Sequence, residues 1–175
     1  MRVKGLTREG SSPHYPSHPM VIYFLRHAEA EPDSGADFDR RLTPKGLEQA
    51  EKAGRFLVRY GLIPEMLLTS PVVRARQTAK IVAQKLANAP IEECAWLACG
   101  MSPESCLSQL RNLESAASIL LVGHEPDFGN AIAAMIGLPD AGALKVRKAS
   151  LTAVDLCDFR TGAGQLQFVV PVRLM

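Results

Sequence analysis

Val21-Ile22-Tyr23-Phe24-Leu25-Arg26-His27-Ala28-Glu29 is the stretch on which the reading of this chain turns. Val21 to Leu25 have the β-branched, aromatic and aliphatic character of a buried strand, and the run stops abruptly at a guanidinium and an imidazole. Ligands in α/β sheets sit beyond the carboxyl ends of the strands, so Arg26 and His27 stand where a ligand is expected. Taken alone, such a pair is more often an ordinary loop contact than an active site, and the other strand ends have to be read with it.

Working outward, Glu31 to Arg41 is a polar loop carrying Pro32, Gly35, Asp33, Asp37, Asp39 and Arg40. Thr43-Pro44 then signals a helix start, Thr as N-cap and Pro at the first helical position, where its missing N–H costs nothing. Leu47, Ala50, Ala53, Leu57 and Val58 recur at helical spacing and Gly61 supplies a stop, which predicts a helix over 44–60. Glu65 to Thr69 contains the short buried strand Met66-Leu67-Leu68. Ser70-Pro71 repeats the cap-plus-proline signal before a second helix to about Ala87.

The alternation continues with an edge strand within Ile91–Leu97 and a helix over Pro103–Leu113 capped by Ser102, its Leu107, Leu110 and Leu113 facing inward. Ser118-Ile119-Leu120-Leu121-Val122 is the clearest buried strand and ends at Gly123-His124. Pro126 opens an Ala-rich helix to about Ile136, closed by Gly137. Leu151–Leu156 and Gln165–Val172 are β-rich runs around the turn region Arg160–Gly164. The sum is an α/β domain, a three-layer αβα arrangement with a mostly parallel mixed central sheet and an antiparallel edge pair.

The 175 residues, 47% hydrophobic and 22% charged, suffice for one stable domain, expected over 20–175. Residues 1–19, rich in Ser, Pro and Gly, are expected to form a disordered extension, and Met20 is an alternative start directly before the first strand. His14 and His18 are four apart, but Pro16 between them opposes the helix that would align them for a metal. A net charge of +2 argues against a general nucleic-acid or membrane-surface binder, so any anion site must be local. No run approaches the roughly 20 apolar residues of a membrane span. Cys94, Cys99, Cys106 and Cys157 form no metal-binding pattern and read as free thiols of a cytoplasmic protein. A monomer is compatible with all of this.

Three apolar strands thus end in polar groups: Arg26-His27, then Ser70 with Arg74 one turn into the next helix, then Gly123-His124. In such a sheet these ends share one edge. Arg74 is informative because a cation in the first turn of a helix opposes the macrodipole, which a bound anion, or a carboxylate such as Asp127, would offset. Two guanidinia and two imidazoles describe a pocket for a phosphoryl group, since Arg presents planar forked donors that match phosphate oxygens. No G-x-x-x-x-G-K-[ST] loop or acidic Mg²⁺ cluster accompanies them, so no metal or nucleotide cofactor is expected.

The segments Leu25-Arg26-His27-Ala28-Glu29-Ala30, Arg41-Leu42-Thr43-Pro44-Lys45-Gly46, Thr69-Ser70-Pro71-Val72-Val73-Arg74-Ala75-Arg76-Gln77-Thr78-Ala79 and Val122-Gly123-His124-Glu125-Pro126-Asp127 occur in the order seen in the histidine phosphatase superfamily. The chain resembles that superfamily over about residues 20–175, and most the small SixA-type phosphohistidine phosphatases, with a phosphoglycerate mutase-like fold. It departs in carrying Ala28 where many members have Gly, a change that matters only if the backbone there needs φ > 0.

The resemblance implies that His27 is a nucleophile that becomes transiently phosphorylated, that Arg26 and Arg74 hold phosphoryl oxygens, and that His124 adds a donor. Ser70 is an N-cap or a supporting residue, Gln77 and Thr78 are supporting or packing residues, and Glu29, Glu125 and Asp127 are supporting or solvated. Larger relatives place an acid after the second helix to protonate a leaving alkoxide. Here Glu92, Glu93 and Glu104 are the only carboxylates of that region, and none stands in a convincing motif. A phosphorylated imidazole is a better leaving group, and the connections look short enough for an open site. The expected partner is therefore a phosphohistidine-bearing protein such as a phosphotransfer domain. The alternatives are a broad small-molecule phosphomonoesterase or mutase, and a phosphoprotein-binding module without turnover.

Overall fold

A computed structural model of the chain describes residues 19–32 and 37–175. The extension expected over 1–19, with His14 and His18, lies outside the described residues except for Pro19. The elements in chain order are β1 (Met20–Arg26), α1 (Pro44–Arg59), β2 (Met66–Thr69), α2 (Val73–Lys85), β3 (Ile91–Glu93), α3 (Pro103–Arg111), β4 (Ser118–Gly123), α4 (Asp127–Ile136), β5 (Leu151–Leu156) and β6 (Gly164–Val170). They form one mixed sheet in the order β3-β2-β4-β1-β5-β6. β3, β2, β4 and β1 run parallel, and β5 and β6 add an antiparallel pair beside β1.

The pleat of β1 sorts its side chains onto two faces. Ile22 and Phe24 enter a core shared with Leu107 and Leu110 of α3 and Phe128 and Ile132 of α4, and the Phe24 and Phe128 rings meet edge to face at 5.1 Å. Tyr23 and Leu25 enter the opposite core with Ala53 and Leu57 of α1 and Ala75, Ala79 and Val82 of α2. Each large side chain so buried contributes about 1.5–3 kcal/mol against exposure, which is why a run apolar at every position settles at the sheet centre.

Register levels the strand ends. Leu25 pairs with Val122, Thr69 pairs with the same Val122, and the His27 N–H donates to the Gly123 carbonyl at 2.9 Å. The Ser70 N–H donates to the Val122 carbonyl at 2.9 Å. His27, Ser70 and His124 therefore leave three adjacent strands at one height.

Several boundaries differ from the sequence expectation. Thr43 does cap α1, accepting from the Gly46 N–H at 3.0 Å. Ser70 does not cap α2: the helix starts at Val73, with Val72 at the cap position and no side-chain cap, so Pro71 is not its first residue. α2 ends at Lys85, because Ala87 and Asn88 take positive φ of 55° and 59°. Pro126 stands at the N-cap of α4 rather than inside it. Ile91–Leu97 divides into the short β3 and a 3-10 turn over Ala95–Leu97. Ala28 is not among the residues at positive φ, so a side chain is accommodated there without backbone strain.

Candidate active site

His27 follows β1 directly and is 6% exposed. Its Nδ1 lies 2.8 Å from the Ala28 carbonyl, which only accepts, so Nδ1 carries the proton and Nε2 is the unprotonated nitrogen. The Arg74 Nε donates to that Nε2 at 3.2 Å. Burial, opposed by the Ala28 carbonyl and reinforced by the charges of Arg74 and Arg26, lowers the His27 pKa to about 3. A buried neutral imidazole with its lone pair turned toward the Arg74 guanidinium has the makings of a nucleophile for an anion that this cation attracts.

Thr78, one turn beyond Arg74, ties the two together. Its hydroxyl donates to the Arg74 carbonyl at 2.8 Å and accepts from the Ala28 N–H at 3.1 Å. The α2 turn that carries Arg74 is thereby fastened to the backbone that orients His27.

All three nitrogens of the Arg74 guanidinium are engaged. Besides His27, they reach the Asp37 carbonyl from Nη1 at 2.6 Å and the Asp37 carboxylate from Nη2 at 3.1 Å. Asp37, not Asp127, is the anion that offsets this cation. Asp37 also pairs with Arg40 at 2.7 Å, and these two cations hold its carboxyl below the ordinary range, Arg40 acting most strongly. The polar loop after β1 thus places a carboxylate on the residue expected to grip a phosphoryl group. The sequence singles out the loop's charge without marking Asp37 among Asp33, Asp37 and Asp39.

His124 follows β4 and is 2% exposed, its ring 5.3 Å from that of His27. Its Nε2 lies 2.8 Å from the Ser70 hydroxyl, which accepts from the Val72 N–H at 3.2 Å. When that hydroxyl donates its hydrogen to Nε2, the ring proton sits on Nδ1, a buried nitrogen with no partner. Burial and the nearby Arg74 lower the His124 pKa to about 4, so this ring too is neutral. Arg26 donates from Nη1 to the Val146 carbonyl at 2.9 Å, while its buried Nε has no partner. Arg26 Nε and His124 Nδ1 are thus buried nitrogens without a partner, and a ligand rich in oxygen would supply the acceptors that Nε, and Nδ1 in that tautomer, lack.

Other sequence candidates fall elsewhere. Gln77 does not support Arg74; its side-chain oxygen accepts from the Leu42 N–H at 2.7 Å and holds the return of the polar loop. Glu125 accepts from the Gly129 N–H at 2.8 Å in the first turn of α4, and burial raises its pKa against the opposing pull of that bond and of Arg26. Glu29 pairs with Lys45 at 2.9 Å, and Asp127 accepts from the Gly100 N–H at 2.8 Å. Glu92 and Glu93 are exposed on the edge strand β3, Glu93 facing Arg76 at 3.7 Å, and Glu104 lies in the first turn of α3. Among the described residues Asp37 is the carboxylate hydrogen-bonded within the site, and no three His, Cys, Asp or Glu side chains converge as metal ligands.

The comparisons with known proteins agree with this geometry. Residues 22–98 match the model of the histidine phosphatase superfamily (branch 1). An uncharacterized protein of Picosynechococcus is 35% identical over 152 residues, 85% of this chain and 89% of the relative. The mitochondrial serine/threonine-protein phosphatase PGAM5 of Xenopus tropicalis is 36% identical over 73 residues, 42% of this chain and 26% of that longer protein. Among solved structures, the protein histidine phosphatase SixA complexed with tungstate superposes with a TM-score of 0.80 at 25% identity, covering 88% of this chain and 98% of that one. A candidate SixA phosphohistidine phosphatase from Agrobacterium tumefaciens gives 0.76 at 26% identity, covering 89% and 99%. With its αβα sheet, its levelled strand ends and these relatives, the chain belongs to the histidine phosphatase superfamily, with a SixA-like, phosphoglycerate mutase-like fold.

Proposed function

We propose that the chain is a phosphatase that works through a phosphohistidine on His27 and takes its phosphoryl group from a phosphorylated histidine of another protein. The observation that carries the reading is the state of His27: the Ala28 carbonyl holds the Nδ1 proton, and Nε2 faces Arg74. In the first step the Nε2 lone pair forms a bond to phosphorus as the phosphorus–nitrogen bond of the substrate breaks in line. The electron pair leaves with the substrate imidazole, which is protonated from water. Arg74, Arg26 and the Nδ1–H of His124 stabilise the charge on the equatorial oxygens. In the second step water attacks the phosphorus of phospho-His27 and releases inorganic phosphate and the free imidazole.

The choice of substrate rests on what the site lacks. An alkoxide leaving group needs a positioned acid, and the carboxylate within the site among the described residues is Asp37, held ionised by Arg40 and Arg74. An imidazole leaving group dispenses with that acid. The similarity to SixA proteins supports the same reading, whereas the local similarity to PGAM5 favours a phosphoester on a protein.

Incubation with a phosphohistidyl peptide and with a phosphoseryl peptide separates the two, followed by acid and alkali treatment of the trapped protein. Turnover of the first, with an acid-labile and alkali-stable label that His27→Ala abolishes, is the expected result. Preference for the phosphoserine peptide or for small phosphate esters overturns the phosphohistidine assignment, and a label that persists in His27→Ala overturns the nucleophile.

A further inference from the structure

Arg26 belongs to two features at once. Beside the candidate active site it lines a groove of about 490 Å³ with Lys145, Arg147, Lys148, Arg173 and Gln49. No carboxylate and no aromatic side chain lines this groove, and none of Lys145, Arg147, Lys148 and Arg173 forms an ion pair among the described residues. Glu29 lies within electrostatic reach of Lys148, but its carboxylate is paired with Lys45. In a chain whose net charge is only +2, this is a concentrated patch of cations outside any ion pair among the described residues.

The patch is also fastened to the nucleophile. The Ala149 N–H is shared between the carbonyls of Arg26 and His27 at 3.1 and 3.2 Å, the Arg26 N–H donates to the Ser150 carbonyl at 3.3 Å, and Arg26 Nη1 holds the Val146 carbonyl. Ala149 takes φ of 54°, a left-handed conformation unfavourable for a residue with a Cβ, and is fully buried. A strained residue held in this way keeps the cationic loop 145–148 at a set offset from His27.

Resting on the phosphohistidyl-protein reading above, we propose that this groove docks an acidic segment of the phosphorylated partner, its carboxylates on Lys145, Arg147, Lys148 and Arg173 while the phosphoryl group lies between Arg26 and His27. Lys145, Arg147 and Arg173 are exposed, and long exposed side chains around an open groove suit a protein surface better than a small polyanion, which calls for buried and preorganised forks. The absence of an aromatic lining removes the stacking platform that single-stranded nucleic acid uses.

The test uses the full chain and two labelled unphosphorylated peptides of equal length around one histidine, one flanked by Asp and Glu and one by Ser and Gln. By fluorescence anisotropy the acidic peptide should bind more tightly. K145E/R147E/R173E should weaken that binding about tenfold or more, as should a rise to high salt. The phosphohistidyl forms should show the same pattern in kcat/KM, the ratio of acidic to neutral peptide collapsing toward one in the variant. Equal binding of the two peptides, unchanged binding to the variant, or tighter binding of an oligonucleotide of matched charge overturns the proposal. K145Q/R147Q/R173Q replaces the charge-reversed protein if thermal melting shows that the latter does not fold. If neither phosphopeptide is turned over, the phosphohistidine reading fails, while the anisotropy measurement still decides the groove.

Discussion

In the proposed mechanism Arg74 grips the phosphoryl group, and Asp37 occupies that same guanidinium, so removal of its carboxylate has a calculable effect. An incoming phosphate dianion competes with the Asp37 carboxylate for Arg74 Nη2, at 3.1 Å in the structure. Two routes are open. If the carboxylate stayed, two like charges about 5 Å apart would repel by roughly 3 kcal/mol per unit charge pair at an effective dielectric near 20. If it swings away, only the ion pair is lost. The Arg74 side chain is 6% exposed but that of Asp37 is 48% exposed, so the pair takes the value of a surface interaction, about 0.5–1 kcal/mol. The second route is cheaper, and phosphate binding is weakened by that smaller amount.

Asp37→Asn retains size and a hydrogen-bonding oxygen while removing the charge, and the Asp37 carbonyl that accepts from Arg74 Nη1 is untouched. Inorganic phosphate should bind Asp37→Asn about 2–5-fold more tightly than the parent by isothermal titration calorimetry at neutral pH. Arg40→Gln, which removes the second cation from Asp37, should not reproduce the gain, because it leaves the carboxylate on Arg74. An unchanged or weaker phosphate affinity in Asp37→Asn refutes the idea that this carboxylate competes for the anion site.

Three further outcomes are expected. Ser70→Ala takes from His124 the partner of its Nε2 and from the Val72 N–H its acceptor; kcat for phosphoryl transfer should fall about tenfold and stability by about 1–3 kcal/mol, checked by steady-state kinetics and urea denaturation. His27 and His124 are held neutral, with pKa values of about 3 and about 4 against 6.5 in the unfolded chain, so the unfolded state binds protons first as pH falls. Stability should therefore be full above about pH 6.5 and decline below it by up to about 1.4 kcal/mol per pH unit per histidine until each folded pKa is reached, and His27→Ala should flatten this slope in urea titrations at stepped pH. Gly123→Ala would set a methyl group 2.6 Å from the Phe128 ring, and this overpacking should cost about 1–3 kcal/mol and lower Tm by several degrees in a thermal melt.

Gly46 shows how closely the site depends on neighbouring backbone. A Cβ there would collide with the Glu29 carbonyl, which also accepts from the Thr43 N–H at 3.1 Å, so the start of α1 lies directly on the segment after His27. The same segment pairs Ala30 with Leu42 in an isolated bridge, and the Leu42 N–H is held by Gln77. These contacts are made with backbone and leave the side chains of His27, Arg26, Arg74 and His124 to the proposed phosphoryl site.

The sequence by itself determined the elements whose signals are local: the apolar run of β1, the Thr43-Pro44 start of α1, the Gly137 stop of α4 at φ of 71°, and the termination of three strands in Arg26-His27, Ser70 and Gly123-His124. Burial on both faces and the geometry of helix ends are properties of a few consecutive residues, so they survive in the one-dimensional pattern. Only the tertiary structure decided the partners. Ser70-Pro71 has the composition of a helix start, yet levelling of β2 with β4 brings the Ser70 hydroxyl to His124, and that long-range bond replaces the cap. Gln77 and Arg74 are neighbours on one helix, yet one turns to the Leu42 backbone and the other to His27. Asp37 is one acid among several in a polar loop until the fold sets the turn over Asp37–Asp39 against α2. Hydrogen bonds between residues tens of positions apart depend on how strands are ordered and how loops return, and a chain read in order carries no local trace of either.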